Sequence, residues 1–387
     1  MVIQNKNNIP EGWQKVTLRQ CVDIDRNSLS EKTVDNKEFF YIDLSAVSAG
    51  VITFPKKKVS FRNAPSRARR IIHKGDIIFS TVRPYLKGFA LIDFDSDDYI
   101  VSTGFSVLTA KNNFSSTYIY HYLFSENFQK QIFISLLGSS FPALNSKDVK
   151  SLSILIPISI TEQQKIVEVL ETWDKAIQLT RQLIEQKELQ KKYLMQQLLT
   201  GRTRLKGFTD KWENVRLKQL CSIQKGQQLN ANTLTKNGKY ACLNGGIIPS
   251  GYTTKWNTEA NTISISEGGN SCGYVNWNDS RFWAGGHCYT LANVKISNSF
   301  LYFVLKNKEG HIMNLRVGSG LPNIQRPSLE KLLLKIPSAQ KEQQDIAQVL
   351  SSCDKEIDLL KQKLTKLEEQ KKGLMQVLLT GKVRLVK

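Results

Sequence analysis

From Ile346 to Leu378 apolar residues return at alternating intervals of four and three: Ile346, Leu350, Cys353, Ile357, Leu360, Leu364 and Leu367, then Lys371, Leu374 and Leu378. That spacing is the seam of one helix packed along another. A second line with the same spacing, Ile166, Leu170, Trp173, Ile177, Thr180, Ile184, Lys187, Lys191, Leu194 and Leu198, has more polar interruptions. Glu162 to Thr200 contains neither Gly nor Pro, follows Pro157 with Thr161 as a candidate N-cap, and meets Gly201, a natural C′ residue. The spacing therefore predicts a long helix there. Lysines in a seam (Lys191, Lys371) fix register at some cost in stability more readily than they mark chemistry.

The two lines belong to a duplication. Ile156-Pro157, Glu162-Gln163-Gln164 and Leu198-Leu199-Thr200-Gly201 recur as Ile336-Pro337, Glu342-Gln343-Gln344 and Leu378-Leu379-Thr380-Gly381, at a constant offset of 180 residues and without a gap. Asp174-Lys175, Lys191-Lys192 and Leu194-Met195-Gln196 likewise match Asp354-Lys355, Lys371-Lys372 and Leu374-Met375-Gln376. Upstream, Gly138-Ser139 and Pro142 align with Gly318-Ser319 and Pro322, and Trp13–Leu18 resembles Trp212–Leu217 at an offset of 199. The middle of the second copy is thus 19 residues shorter.

Between the repeated frames, short β-prone runs (Lys74–Ser80, Tyr99–Ser102, Asn261–Ser266) alternate with Gly, Asp and Asn turns, and helices are expected around Ser116–Leu137 and Asn298–Leu315. The expected fold is α+β: two domains of mixed strands and helices separated by two long helices packed as an antiparallel coiled coil with pseudo-two-fold symmetry. Antiparallel packing makes the two copies equivalent, whereas parallel packing would not. The expected boundaries are 1–158 for the first variable domain, 159–201 for the first long helix, 202–337 for the second domain and 338–381 for the second helix.

Charge decides the partner class. The 387 residues carry a net charge of +20 with 41% hydrophobic and 23% charged residues, the profile of a folded chain suited to a polyanion. No apolar run reaches the ~18–20 residues of a membrane span, and Met1–Asn8 lacks the plan of a signal peptide, so a cytoplasmic protein without membrane contact is expected. Six scattered cysteines without a CxxC pair point to reduced thiols.

Enzyme signatures are missing. There is no GxxxxGK[ST], no Pro-Pro dipeptide of the kind an adenine methyltransferase motif contains, and Asn323 stands where a third glycine would complete Gly318-Ser319-Gly320. Asp35-Asn36-Lys37 and Glu185-Gln186-Lys187 fit a nuclease only in its weakest form, and His287-Cys288 is the sole adjacent pair with metal-ligand character. Neither a catalytic residue, nor a metal, nor a cofactor is expected in this chain.

For DNA, the densest basic stretch is Lys56, Lys57, Lys58, Arg62, Arg67, Arg69 and Arg70, interleaved with Phe54 and Phe61, and Arg83, Tyr85 and Lys87 extend it. Lysine and arginine neutralise phosphates, and arginine also pairs bidentately with guanine. In the second copy Asn270 and Ser271 sit in a glycine-rich turn that reads equally as a plain hairpin, and the matched Gly-Ser-x-x-Pro loops lead to Asn145 and to Asn323, Gln325 and Arg326.

The whole plan, from the Ile-Pro…Glu-Gln-Gln helix start and Leu-Met-Gln-x-Leu-Leu-Thr-Gly helix end to the Gly-x-x-Trp-type domain entry and the duplication of all three, resembles the specificity subunit of type I restriction-modification systems. One departure is that Gly12-Trp13 of the first copy is Lys211-Trp212 in the second. The resemblance implies two target-recognition domains, each reading half of a split double-stranded DNA target. It implies helices that space the readers and dock two methyltransferase subunits, with Glu162, Gln163, Gln164, Glu342, Gln343, Gln344, Leu194 and Leu374 marking the docking helices. Restriction subunits would join the larger complex, and S-adenosylmethionine and ATP would be bound by the partners. The competing reading is a stand-alone bipartite DNA-binding regulator without an enzyme partner.

Overall fold

The structure, a computed structural model, describes residues 9–137, 141–318, 320 and 322–385. It divides into two compact units, 1–179 with 364–387, and 180–363. Gly138, Ser139 and Ser319 of the matched loops lie outside the described residues.

In the first unit the strand Trp13–Thr17 pairs antiparallel with Ser153–Pro157, Trp13 opposite Pro157. The second unit repeats this ribbon with Trp212–Arg216 and Leu333–Pro337, Trp212 opposite Pro337. Each ribbon delivers the chain into a 39-residue helix, Ile160–Leu198 or Gln340–Leu378.

Behind the first ribbon lies an antiparallel sheet in the order Val22–Ile24, Phe105–Ala110, Ile77–Ser80, Phe89–Leu91. The second unit has its equivalent in Ser222–Lys225, Cys288–Ala292, Thr262–Ser266, Val275–Asn278. A further sheet carries most of the divergence. In the first unit it has four strands, Val59–Ser60, Glu38–Ile42, Tyr99–Ser102, Ala68–Ile71; in the second it has three, Gly251–Thr253, Tyr240–Leu243, Phe282–Ala284. The shorter interior of the second copy is thus accompanied by one strand fewer in this sheet.

The helices expected over Ser116–Leu137 and Asn298–Leu315 are each broken in two. Ser116–Leu123 is followed by Glu126–Leu136, because the Ser125 side chain accepts from Phe128 N and starts a new helix rather than continuing the old one. Asn298–Asn307 gives way to Glu309–Met313.

The cores show how the long helices run. In the first unit Ile166, Val167 and Leu170, near the start of the first helix, are buried in one cluster with Leu378 and Leu379, at the end of the second. In the second unit Leu198 and Leu199 are buried with Ile346, Ala347 and Leu350. Within each unit the start of one helix therefore packs beside the end of the other, which is antiparallel packing. The seam lysines are paired: Lys371 with Asp174 in the first unit and Lys191 with Asp354 in the second, the same two repeat positions in both. Lys187–Glu356 and Lys361–Glu188, both at 2.7 Å, add further cross-helix pairs in the second unit. Gly201 and Gly381 both end their helices in the left-handed region, with φ of 71° and 69°.

Candidate nucleic-acid interface

The repeated Glu-Gln-Gln is an internal lock. Glu162, 1% exposed, receives Arg384 bidentately, Nε to Oε1 at 2.5 Å and Nη2 to Oε2 at 2.8 Å, while Nη1 donates to Glu11 O at 2.6 Å. Glu342 receives Arg204 the same way, at 2.6 and 2.7 Å, with Nη1 donating to Asp210 O at 3.0 Å. Each guanidinium lies 5.9 Å from the ring of its domain's leading tryptophan, Trp13 or Trp212. Gln163 accepts from Ser115 N (2.8 Å) and donates to Pro157 O (2.8 Å) and Asn113 O (3.3 Å); Gln343 accepts from Ser297 N (3.2 Å) and donates to Pro337 O (2.9 Å).

Glu162, Gln163, Glu342 and Gln343, which mark the helices expected to dock partners, are themselves buried and engaged inside their own domain, so any docking surface on those helices is made by other side chains. Leu194 and Leu374 also face inward, packing on the second and first cores respectively. Gln164 and Gln344 alone of the eight are exposed.

The basic stretch of the first domain borders its four-stranded sheet, whose edge strands are Val59–Ser60 and Ala68–Ile71. Lys56, Lys57, Arg62 and Arg67 are exposed, and among the described residues no ion pair or side-chain hydrogen bond engages them. The Arg69 guanidinium lies 4.6 Å from the centre of the Phe61 ring. Lys58 reaches Asp98 at 2.6 Å and the Phe40 ring at 5.4 Å, an exposed pair that phosphate can compete for. Arg70 is different. It turns inward to Asp25 (3.0 Å) and Ser28 (3.2 Å), half-buried, so its charge is matched within the domain and it is the basic residue of the stretch least free to meet a phosphate. Arg83 is exposed and Lys87 half-buried on the turn after Ile77–Ser80.

The candidates in the Gly-Ser-x-x-Pro regions serve the fold. Asn145 caps the helix Ser146–Ser151 by accepting from Lys147 N and Asp148 N. Asn323 bridges Val317 and Gly268 through its backbone, its side chain accepts from Gln325, and Arg326 pairs with Glu330 at 2.7 Å one helical turn on. Asn270 is exposed at the tip of its turn, beside the half-buried Ser271.

The family of the type I restriction modification DNA specificity domain matches residues 10–189 and again 209–369. The chain belongs to this family. Over 97% of its length it is 25% identical to a putative type I restriction enzyme specificity subunit of Methanocaldococcus jannaschii, covering 95% of that relative. A putative type I specificity subunit of Mycoplasma genitalium is 36% identical over 152 residues, and the match spans only 39% of that relative's length. Among solved structures, a type I restriction-modification S subunit from M. genitalium aligns over 97% of this chain and 98% of its own at a TM-score of 0.65 and 19% identity, which establishes the shared fold.

In this specificity-family chain, among the described residues no three His, Cys, Asp or Glu side chains gather as metal ligands, and no helix is long and apolar enough to cross a membrane. His287 and Cys288 part company: Cys288 is buried, its thiol pushed up to about 12 by desolvation, while His287 stands exposed with Nδ1 3.7 Å from Glu267. The two arginines of the lock escaped the reading of the sequence. The signal was present, since the repeat runs on past its glycine through Arg204-Leu205 and Arg384-Leu385 at the same offset.

Proposed function

We propose that this chain is the non-catalytic, sequence-reading subunit of a type I restriction-modification assembly. The observation that carries the proposal is one frame used twice, with matched ribbons, locks and helix ends around two dissimilar interiors. Two different interiors on equivalent frames fit a split, non-palindromic target, one half per domain. The exposed faces of the long helices serve to dock two methyltransferase subunits. Those subunits bind S-adenosylmethionine, and restriction subunits that join them bind ATP. The assembly works in the cytoplasm.

On this reading Lys56, Lys57, Arg62, Arg67 and Arg69 meet DNA from the first domain, with Asn270 from the second. The isolated chain is expected to methylate nothing in the presence of S-adenosylmethionine. Co-expressed with the methyltransferase subunit of its host, it directs methylation to one bipartite site. Exchanging residues 14–155 for those of another family member changes one half of that site only. A change in both halves together breaks the modular reading, and tight operator binding with no methyltransferase in the complex favours the stand-alone regulator. Inserting a heptad after Gln186 keeps the seam and alters the tolerated spacer, leaving the bases read in either half unchanged.

A further inference from the structure

The turns that follow Ile77–Ser80 and Thr262–Ser266 share no residue at equivalent positions, yet four hydrogen bonds tie them alike, while Lys87 N donates to Pro84 O and Gly273 N to Ser266 O. Arg83 N donates to Pro142 O (2.8 Å) as Gly269 N does to Pro322 O (3.0 Å), and Leu144 N donates to Thr81 O (2.9 Å) as Ile324 N does to Glu267 O (2.8 Å). Leu86 N closes on Arg83 O (2.9 Å) as Cys272 N does on Gly269 O (3.0 Å), and Ser80 N on Gly88 O (3.0 Å) as Ser266 N does on Tyr274 O (2.9 Å). These bonds set Arg83 against Gly269 and Lys87 against Gly273.

All four residues are left-handed, with φ of 48° at Arg83, 57° at Lys87, 78° at Gly269 and 94° at Gly273. Glycine takes that conformation freely; a residue with a Cβ does not, and a following proline restricts Arg83 further. The second domain therefore uses the unstrained solution. The first holds two cations in strained backbone, and among the described residues neither side chain has an ion pair or hydrogen bond to compensate. Between them Tyr85 and Leu86 are 47% and 61% exposed, where the second domain has the half-buried Ser271 and the fully buried Cys272. The backbone of the turn is tied internally, but strain kept under two cationic side chains that have no internal polar partner points to an external ligand for those side chains.

We infer that the Arg83–Lys87 turn is a DNA grip that the first domain has and the second lacks. Arg83 and Lys87 take phosphate oxygens, and the exposed edge of Tyr85 and Leu86 packs on sugars and base edges between them. The inference rests on the reading of the chain as a DNA-binding subunit.

The test uses the full chain and a 40-bp duplex of mixed sequence, with affinity measured against salt alongside the thermal midpoint. For Arg83→Gly with Lys87→Gly, the midpoint is expected to stay or rise, because glycine suits both positions. Affinity should fall about 10-fold or more, and the slope of log K on log salt should shrink by about 1.8, the release from two phosphates. Tyr85→Ser with Leu86→Ala should weaken binding while leaving the slope unchanged. Wild-type affinity and slope in the glycine variant, with binding lost on replacing Lys56, Lys57, Arg62 and Arg67 by alanine, overturn the grip and leave the DNA reading standing. A midpoint lowered by several degrees overturns it too, since the side chains would then be holding the turn. Unchanged DNA binding with loss of methyltransferase co-purification assigns the turn to a protein partner and overturns it. A wild-type chain that binds no duplex overturns the grip together with the reading beneath it.

Discussion

Six residues after the serine that caps it, the first helix of each domain's pair presents a side chain to the seam's lysine–aspartate pair in its own unit: His121 in the first domain, Phe303 in the second. His121 is 2% exposed, with Nδ1 3.9 Å from Asp174 of the Asp174–Lys371 pair. Phe303 lies with its ring 5.6 Å from Lys191, which pairs with Asp354. The caps are equivalent, since Ser115 N and Ser297 N both donate to the Gln of the Glu-Gln-Gln lock. The same place in one frame thus holds an ionisable ring in one copy and an apolar ring in the other. Duplication preserved the positions and let the chemistry diverge, as at the Arg83 and Gly269 turns.

The largest expected effect comes from forcing the first domain's solution on the second. Gly273→Lys places a Cβ 2.9 Å from backbone atoms of Met313 at a φ of 94°, and overpacking plus left-handed strain should cost about 3 kcal/mol or more in denaturant unfolding. A cost near zero would show that the second turn can shift to the first domain's form.

Acid separates the domains next. Burial, reinforced by Lys371 and opposed by Asp174, lowers the His121 pKa from 6.5 to about 4. The unfolded chain takes up the proton more readily, so the contribution is complete above pH 6.5 and is lost as pH falls toward 4. The first domain should lose about 3 kcal/mol over that window, read from amide exchange in its core. His121→Phe, copying the second domain, should remove this slope; a slope that persists assigns it elsewhere.

Smaller differences follow from the locks. Gln163→Ala leaves three backbone groups unserved and Gln343→Ala two, so thermal unfolding should register about 2–3 kcal/mol for the first and about 2 kcal/mol for the second. Gly269→Arg has nothing within 4 Å of the new Cβ and a φ of 78°, so it should cost only the left-handed strain, about 1–2 kcal/mol. Equal costs at Gly269 and Gly273 would mean that sterics at Met313 count for little.

What the sequence made legible was whatever repeats. The seam from Ile346 to Leu378 and the ends at Gly201 and Gly381 follow from periodicity and from an offset that needs no gap, whereas the ribbons that pair Trp13 with Pro157 and Trp212 with Pro337 join segments too far apart in sequence for any local pattern to show. The basic stretch at Lys56–Arg67 was visible for a different reason, because exposed charge needs no tertiary context to be recognised. Arg70 failed that rule, since only the fold brings Asp25 and Ser28 to it. Glu162 and Gln163 look like surface residues at a helix start, and the burial that makes them a lock depends on Arg384 and Ser115, far away in sequence. The turns at Arg83 and Gly269 share four hydrogen bonds and a positive φ at two positions without one identical residue, so no comparison of letters within them could align them.

Arg384 closing on Glu162, and Leu378 and Leu379 filling the first domain's core, bear on the order in which a ribosome can finish this molecule. The second unit is one uninterrupted stretch, 180–363, whereas the first still lacks Leu378, Leu379 and Arg384 when that stretch is complete. The domain begun first is thus completed last. A nascent chain spends the whole synthesis of the second domain with Trp13 and Glu162 lacking their partner, and translation stopped just past Lys363 would leave the second domain whole and the first unsealed.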